Sequence, residues 1–236
     1  MQNDASAFLQ LLQLADSALP VGSAAHSFGL ETLIAEEWLE VEALEGFLRA
    51  YLHETGGLEC TFCLLSYELA AAAGEFTDER VSEWLAFNAR LSAFKTARES
   101  REASAAMGRR LLQLAQGLEL HAGLPDVISA AKTAAIATHY SAAFGLIGGL
   151  LHVGATYTAL AYLQQSLTGL ISACQRLLPL GQSRASGMLW RLRPALLATL
   201  ERSIAAASDN DISCFTPLVD LASMRHPALM TRLFIS

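Results

Sequence analysis

No aspartate, glutamate, lysine or arginine separates Lys132 from Arg176, and whatever this chain folds into must find an apolar home for that stretch. It is long enough for two membrane spans of about 20 residues each. Its content argues otherwise, because His152, Thr156, Thr158, Gln164, Gln165, Ser166 and Thr168 are spread through it and lipid-facing spans rarely carry a glutamine pair and so many hydroxyls. Small residues also let helices buried on all sides approach one another closely. The stretch therefore reads as the buried central helical hairpin of a soluble protein, divided near Gly148, Gly149 or Gly154, with a membrane-associated helical protein as the alternative.

Helical spacing continues on both sides of it. Phe8, Leu11, Leu12 and Ala15 form a stripe ended by Pro20, and Leu44, Phe47, Leu48, Tyr51, Leu52 and Thr55 form another. The second is expected to break or bend at Gly56 and Gly57 before Leu58, Phe62, Leu65 and Leu69 continue it. Asp78 is placed to cap a helix through Val81, Trp84, Leu85 and Asn88. Phe94, Ala97, Ser104, Met107, Leu111 and Leu114 hold one face across the charged run Arg98 to Arg110, which reads as solvated. Leu124-Pro125-Asp126 starts a helix, Leu178 to Gly181 makes a turn, and Leu189, Leu192, Leu196, Leu200 and Ile204 make a late helix with a bend or fresh start at Pro194. Sustained period-two alternation is missing, and no fixed-period repeat or linker divides the chain. The expectation is all-α, a single-domain multi-helix bundle over residues 1–236.

Apolar residues make up 53% of the chain and charged ones 17%, so either the core is large or some apolar surface meets something other than water. A formal charge of −7 argues against nucleic acid as the main partner. The start, MQNDASAF, lacks the basic n-region of a signal peptide, which makes Cys60, Cys63, Cys174 and Cys214 reduced thiols of a cytoplasmic protein.

A search for catalytic chemistry returns little. Neither a phosphate-binding Gly-rich loop nor a nucleophile elbow is present, and the six histidines never fall at the i, i+4 spacing of a helical metal pair. Cys60-Thr61-Phe62-Cys63 puts two thiols on one helix face, but a zinc site needs two further ligands, so small core residues describe them better. For an enzyme with an unrecognised site, Glu31 with His26 is the nearest acid–base pair.

Two segments resist description as helix filling. Leu19 to Glu31, LPVGSAAHSFGLE, packs Pro20, Gly22, Gly29, two serines and His26 into a short connector, where Ser23 or Ser27 can accept an N–H at the start of the next helix. Met224 to Ser236, MRHPALMTRLFIS, is apolar and basic up to the last residue, where chains are usually polar and frayed. Both read as surfaces reserved for a partner.

PVGSAAHSFGLE at Pro20 to Glu31 resembles the Pro-x-Gly-x-x-x-x-Ser-x-Gly-Leu-Glu signature of the urease accessory protein UreF family. Collinear matches follow at Lys95 to Leu112, His139 to Gly145, Ala161 to Ser183 and Ser223 to Ser236, so the resemblance runs from about Phe8 onward. It implies an all-α, dimeric, non-catalytic chaperone that binds UreD (also called UreH), recruits or regulates the GTPase UreG, and takes part in nickel delivery into the urease apoprotein. Nickel and GTP are then handled by the partner complex, with no cofactor held tightly by this chain.

By the same resemblance, Pro20, Gly22, His26, Ser27, Gly29 and Glu31 form one partner-binding group. Arg176 and Gln182 flank the Leu178–Gly181 turn at family polar positions, and Arg225, His226, Arg232, Leu233 and Phe234 lie on a tail that folds against UreD. Gly22 and Gly29 permit close backbone approach, presenting His26, Ser27 and Glu31 to a neighbour. Many members carry Glu after the tail histidine and end Arg-Leu-Phe-Arg-Ser; here Pro227 removes that carboxylate and Ile235 replaces the arginine, which suits burial in a partner's apolar groove. Removing Met224 to Ser236 is expected to leave a folded protein that no longer binds UreD.

Overall fold

The computed structural model describes residues 2–72 and 77–236, and every regular element among them is helical. In chain order these are α1 (Gln2–Leu14), α2 (Leu30–Ala35), α3 (Leu44–Tyr51), α4 (Gly57–Ala71), α5 (Asp78–Phe94), α6 (Arg98–Gly117), α7 (Leu124–Thr133), α8 (Tyr140–Leu150), α9 (Ala155–Leu177), α10 (Gln182–Arg191), α11 (Arg193–Asp209) and α12 (Pro217–Arg225). None is long and apolar enough to cross a membrane.

The uncharged stretch is housed in protein. It forms the hairpin α8–α9, divided at Gly154, whose φ of +90° leads into α9. All of α8 is buried, between α4 and α6. Glycines make that possible: a Cβ on Gly145 would fall on the carbonyl of Cys63, and one on Gly149 would meet the Tyr67 carbonyl oxygen at 2.5 Å. Backbone meets backbone there, so α4 and α8 pack closer than side chains would allow.

Two apolar clusters flank this contact. One gathers Leu44, Leu48, Leu163, Leu167, Leu196 and Leu200; the other gathers Trp84, Leu111, Leu124, Phe144 and Ile147. α4 feeds both, sending Cys60 to the first and Cys63 to the second. Burial pushes the Cys60 thiol up to about 12 and holds the Cys63 thiol well above its ordinary range. They are core residues, held as thiols.

Several expected boundaries shift. Gly56 and Gly57 do not break the chain, because a five-residue π-helical turn over Leu52–Gly56 carries α3 directly into α4. Thr77, not Asp78, occupies the cap position of α5. Pro194 marks a fresh start, lying in the first turn of α11 where its missing N–H costs nothing. The face expected to run from Phe94 to Leu114 is interrupted between α5 and α6. The α1 stripe turns over: Leu11 and Leu14 are buried while Phe8, Leu9 and Leu12 are 60%, 65% and 52% exposed. This helix rests on the body by one edge, so its second apolar edge stays uncovered.

Gly145→Ala is expected to lower the unfolding free energy by about 1–3 kcal/mol through overpacking. Gly46→Ala in α3, where a Cβ meets nothing within 4 Å, should raise it by about 0.5–1 kcal/mol. Urea unfolding of both variants checks the pair.

Candidate functional site

The two unusual segments of the sequence meet each other. Gly22, at φ +84°, turns the chain into a short 3-10 turn over Ser23–Ala25, and Gly29, at φ +87°, opens α2. Both conformations favour glycine, and both glycines are crowded. A Cβ on Gly29 would stand 2.9 Å from Ser223 Oγ and 3.0 Å from the Val219 carbonyl, both on α12, and one on Gly22 would strike the Arg110 guanidinium. The close approach expected of these glycines is made to the chain's own α12 and α6.

From α12 a second 3-10 turn, His226–Ala228, sends the tail back over this connector. Ile235 N–H donates to the Ala25 carbonyl at 2.8 Å, and Ser27 N–H donates to the Ser236 carbonyl at 2.5 Å. His26 Nδ1 lies 2.8 Å from Ser236 Oγ. From α9, Arg176 donates to the Ala24 carbonyl at 2.8 Å and stacks its guanidinium 4.3 Å from the ring centre of Phe234, which is buried. Burial, then Arg110, lowers the His26 pKa.

Glu31 is the hub. Its carboxylate accepts the N–H groups of Leu233 at 2.5 Å and Phe234 at 3.1 Å, and faces His226 Nε2 at 2.8 Å. The other ring nitrogen of His226 lies 2.7 Å from Glu99 Oε2. Ionised carboxylates only accept, so the geometry is complete when the fully buried ring carries both protons. Burial alone pushes the Glu31 carboxyl up; the two tail amides and His226 outweigh it and hold it below its ordinary 4.5. Ser27 Oγ accepts the Glu31 N–H at 3.4 Å, as the sequence pattern anticipated.

Around this hub, Arg225 pairs with Glu36 at 2.8 Å and stacks over Trp38, while Arg232 lies 3.7 Å from Glu99. Gln182 stands apart, exposed at the start of α10, and Pro20 is exposed at the rim. The structure pairs Glu31 with His226 and His26 with Ser236, so the acid–base pair suggested for Glu31 and His26 does not exist. Pro227 takes no carboxylate from the site, because Glu31 and Glu99 enclose the preceding histidine. Sequence reading missed Glu99, assigning it to a solvated run; it lies one turn before buried Ala103 on the inner edge of α6. Among the described residues no group of His, Cys, Asp or Glu is arranged to hold a metal ion; the two carboxylates of the hub face opposite ring nitrogens of His226.

The amides of Leu233, Phe234 and Ile235 and the Ser236 carbonyl and hydroxyl thus face the body together with the buried Phe234 ring, while other apolar side chains of the tail face outward. Met230 is fully exposed, and Ile235 and Leu233 are 67% and 53% exposed; Leu218, Leu221 and Met224 on α12 are also uncovered.

A second polar cluster lies deeper. Glu59 on α4 is paired with Lys95 and accepts from Ser141. Nearby, His139 is held by Ser92 at 2.6 Å, Ser104 at 3.2 Å and, through its N–H, Asn88 at 2.7 Å. Burial first, then Lys95, lowers the His139 pKa to about 4.

Compared with known proteins, residues 39–193 match the model of the UreF family. The chain is 36% identical to the urease accessory protein UreF of Trichormus variabilis, covering 97% of this chain and 96% of that protein. It is 32% identical to the same-named protein of Bradyrhizobium diazoefficiens (99% and 93%) and 34% identical to that of Thermosynechococcus vestitus (98% and 98%). The family model covers α3 to α10 and leaves the connector and the tail, which latch onto each other, outside; the relatives match over nearly the whole chain.

The Glu31 carboxyl titrates lower in the folded chain than in the unfolded one, so its stabilisation is complete above about pH 4.5 and is lost as the pH falls through the folded value. Protease protection of the tail should fade over that range, and Glu31→Gln should show reduced protection already at pH 7; unchanged tail cleavage in the variant counts against the hub. His139 also titrates lower when folded. Its contribution is present above about 6.5 and is lost towards 4, so the unfolding free energy should fall by about 3 kcal/mol across that window. His139→Gln should flatten the slope in denaturant titrations at stepped pH.

Proposed function

Because the chain belongs to the UreF family of urease accessory proteins, we propose that it serves urease maturation as a non-catalytic scaffold of the cytoplasm. Its docking face is the outer side of the tail and α12. There it binds UreD/UreH, and the joint surface recruits or regulates UreG, so that nickel reaches apo-urease while nickel and GTP are handled by the partners. A homodimer is the working unit. The observation that supports this reading is the division of labour in the tail: Glu31, His26, Ser27 and Arg176 hold its polar groups, while Met230, Leu233 and Ile235 face away from the body. Large apolar side chains left exposed on an ordered segment and on the helix that leads into it are the kind of surface that a partner covers. Ile235 already presents to solvent the side chain that a partner groove would cover.

Full removal of Met224–Ser236 is a poor test, because it also strips Glu31 and His26 of their partners. The double variant Met230→Asp, Leu233→Asp leaves the latch contacts in place. Thermal unfolding is expected to stay within a few degrees of wild type, while co-elution with UreD on size exclusion, in the presence of UreG and GTP or GDP, is lost. A double variant that still co-elutes overturns the assignment of this face.

A further inference from the structure

A cavity of about 110 Å³ lies between the connector, α12 and the Glu59–Lys95 pair, and it is part-open to solvent. The space is enough for three or four water molecules or an organic molecule of several heavy atoms. Its wall is largely apolar: the rings of Phe28, Tyr51, Phe94, Tyr140 and Tyr162 line it, with leucines of α9 between them.

Three ionised side chains share that wall. Glu59 and Lys95 are paired with each other and cancel, and His26 adds no charge at neutral pH because burial lowers its pKa. Asp220 has no such partner. Its carboxylate accepts only the Thr216 hydroxyl, at 3.3 Å, and among the described residues no lysine, arginine or histidine pairs with it. It sits in the first turn of α12, where the helix dipole favours the ionised form, and it is partly exposed. Phe94 packs with Cys214 in one apolar cluster, and Cys214 Sγ lies 3.9 Å from the same Thr216 Oγ1 that bonds Asp220. An uncompensated negative charge thus stands near an aromatic ring, on the wall of a cavity lined by four more.

We infer that this cavity is a binding site for a small organic ammonium ion, its charged head held by Asp220 beside Phe94 and its apolar body lying along Tyr51, Tyr140 and Tyr162. A carboxylate next to aromatic faces attracts an alkylammonium both by charge and through the ring quadrupole. A bare metal ion needs several oxygen, nitrogen or sulfur ligands at once, and no group of His, Cys, Asp or Glu among the described residues is arranged to supply them. An anion would meet Asp220 with no free cation to offset it, since Lys95 is committed to Glu59. The site is separate from the outward face of the tail, and it needs no partner protein to be complete.

The probe is n-butylammonium, with butan-1-ol and butyrate as controls of matched length, and ligand-observed NMR titration of the full chain at neutral pH reads Kd. Butylammonium is expected to bind about tenfold tighter than the alcohol, and butyrate not to bind. Asp220→Asn should bring the ammonium to the level of the alcohol and leave the alcohol within about twofold of its wild-type Kd. Gly169 of α9 also lines the cavity, and a Cβ added there meets nothing within 4 Å, so Gly169→Leu should weaken both ligands by filling the space. Nα-acetyl-lysine methylamide carries the same head on a peptide backbone; tighter binding of it than of butylammonium would assign the cavity to a partner's lysine and overturn the free-ligand assignment. Equal Kd values for the ammonium and the alcohol, an ammonium preference that survives Asp220→Asn, or binding untouched by Gly169→Leu overturns the site.

Discussion

A carboxylate buried at the start of α2 governs how the ends of this chain are arranged. Glu31 is 5% exposed, and an ionised carboxyl so placed is tolerable only if its lone pairs are filled. Two tail amides and the His226 ring fill them. The consequences spread from there: the tail must return to the connector, Gly29 must lack a side chain so that α12 can lie on it, and Glu99 must leave the solvated side of α6 to take the second nitrogen of His226. Residues separated by about 200 positions become one structural unit.

The scaffold beneath depends on a different constraint, the backbone contact of α4 with α8. Glycine at positions 145 and 149 removes the side chains that would hold the helices apart, and the resulting wall separates two apolar clusters. The Glu59–Lys95 pair and neutral His139 sit inside this scaffold, where low solvent access makes each polar group depend on its neighbours. A cavity lies between the two systems, so the latch and the core share a boundary rather than forming separate layers.

This arrangement bears on how a urease accessory protein of the UreF family could meet a partner. A tail tied down through the N–H groups of Leu233, Phe234 and Ile235 and the Ser236 carbonyl and hydroxyl offers a partner apolar side chains that are already ordered, which lowers the entropy lost on docking. A partner that instead pulled the tail away would have to break the Glu31 contacts.

Helix content, the buried hairpin and the importance of the two odd segments were legible in the sequence, because periodicity, the absence of charge between Lys132 and Arg176, and glycine, proline and histidine in an apolar connector are local signals. The family resemblance was equally a matter of local motifs. What only the tertiary structure decided was direction. Sequence made His26, Ser27 and Glu31 candidates for presentation to a neighbour; the neighbour that takes them here is the chain's own tail, because burial costs force each to find a partner wherever the fold brings one. Glu99 stayed hidden for the same reason, its charge reading as solvent-facing until His226 supplied a reason to face inward. The exposed edge of α1 was equally out of reach, since periodicity specifies that a helix has an apolar face but not which edge a neighbour will cover.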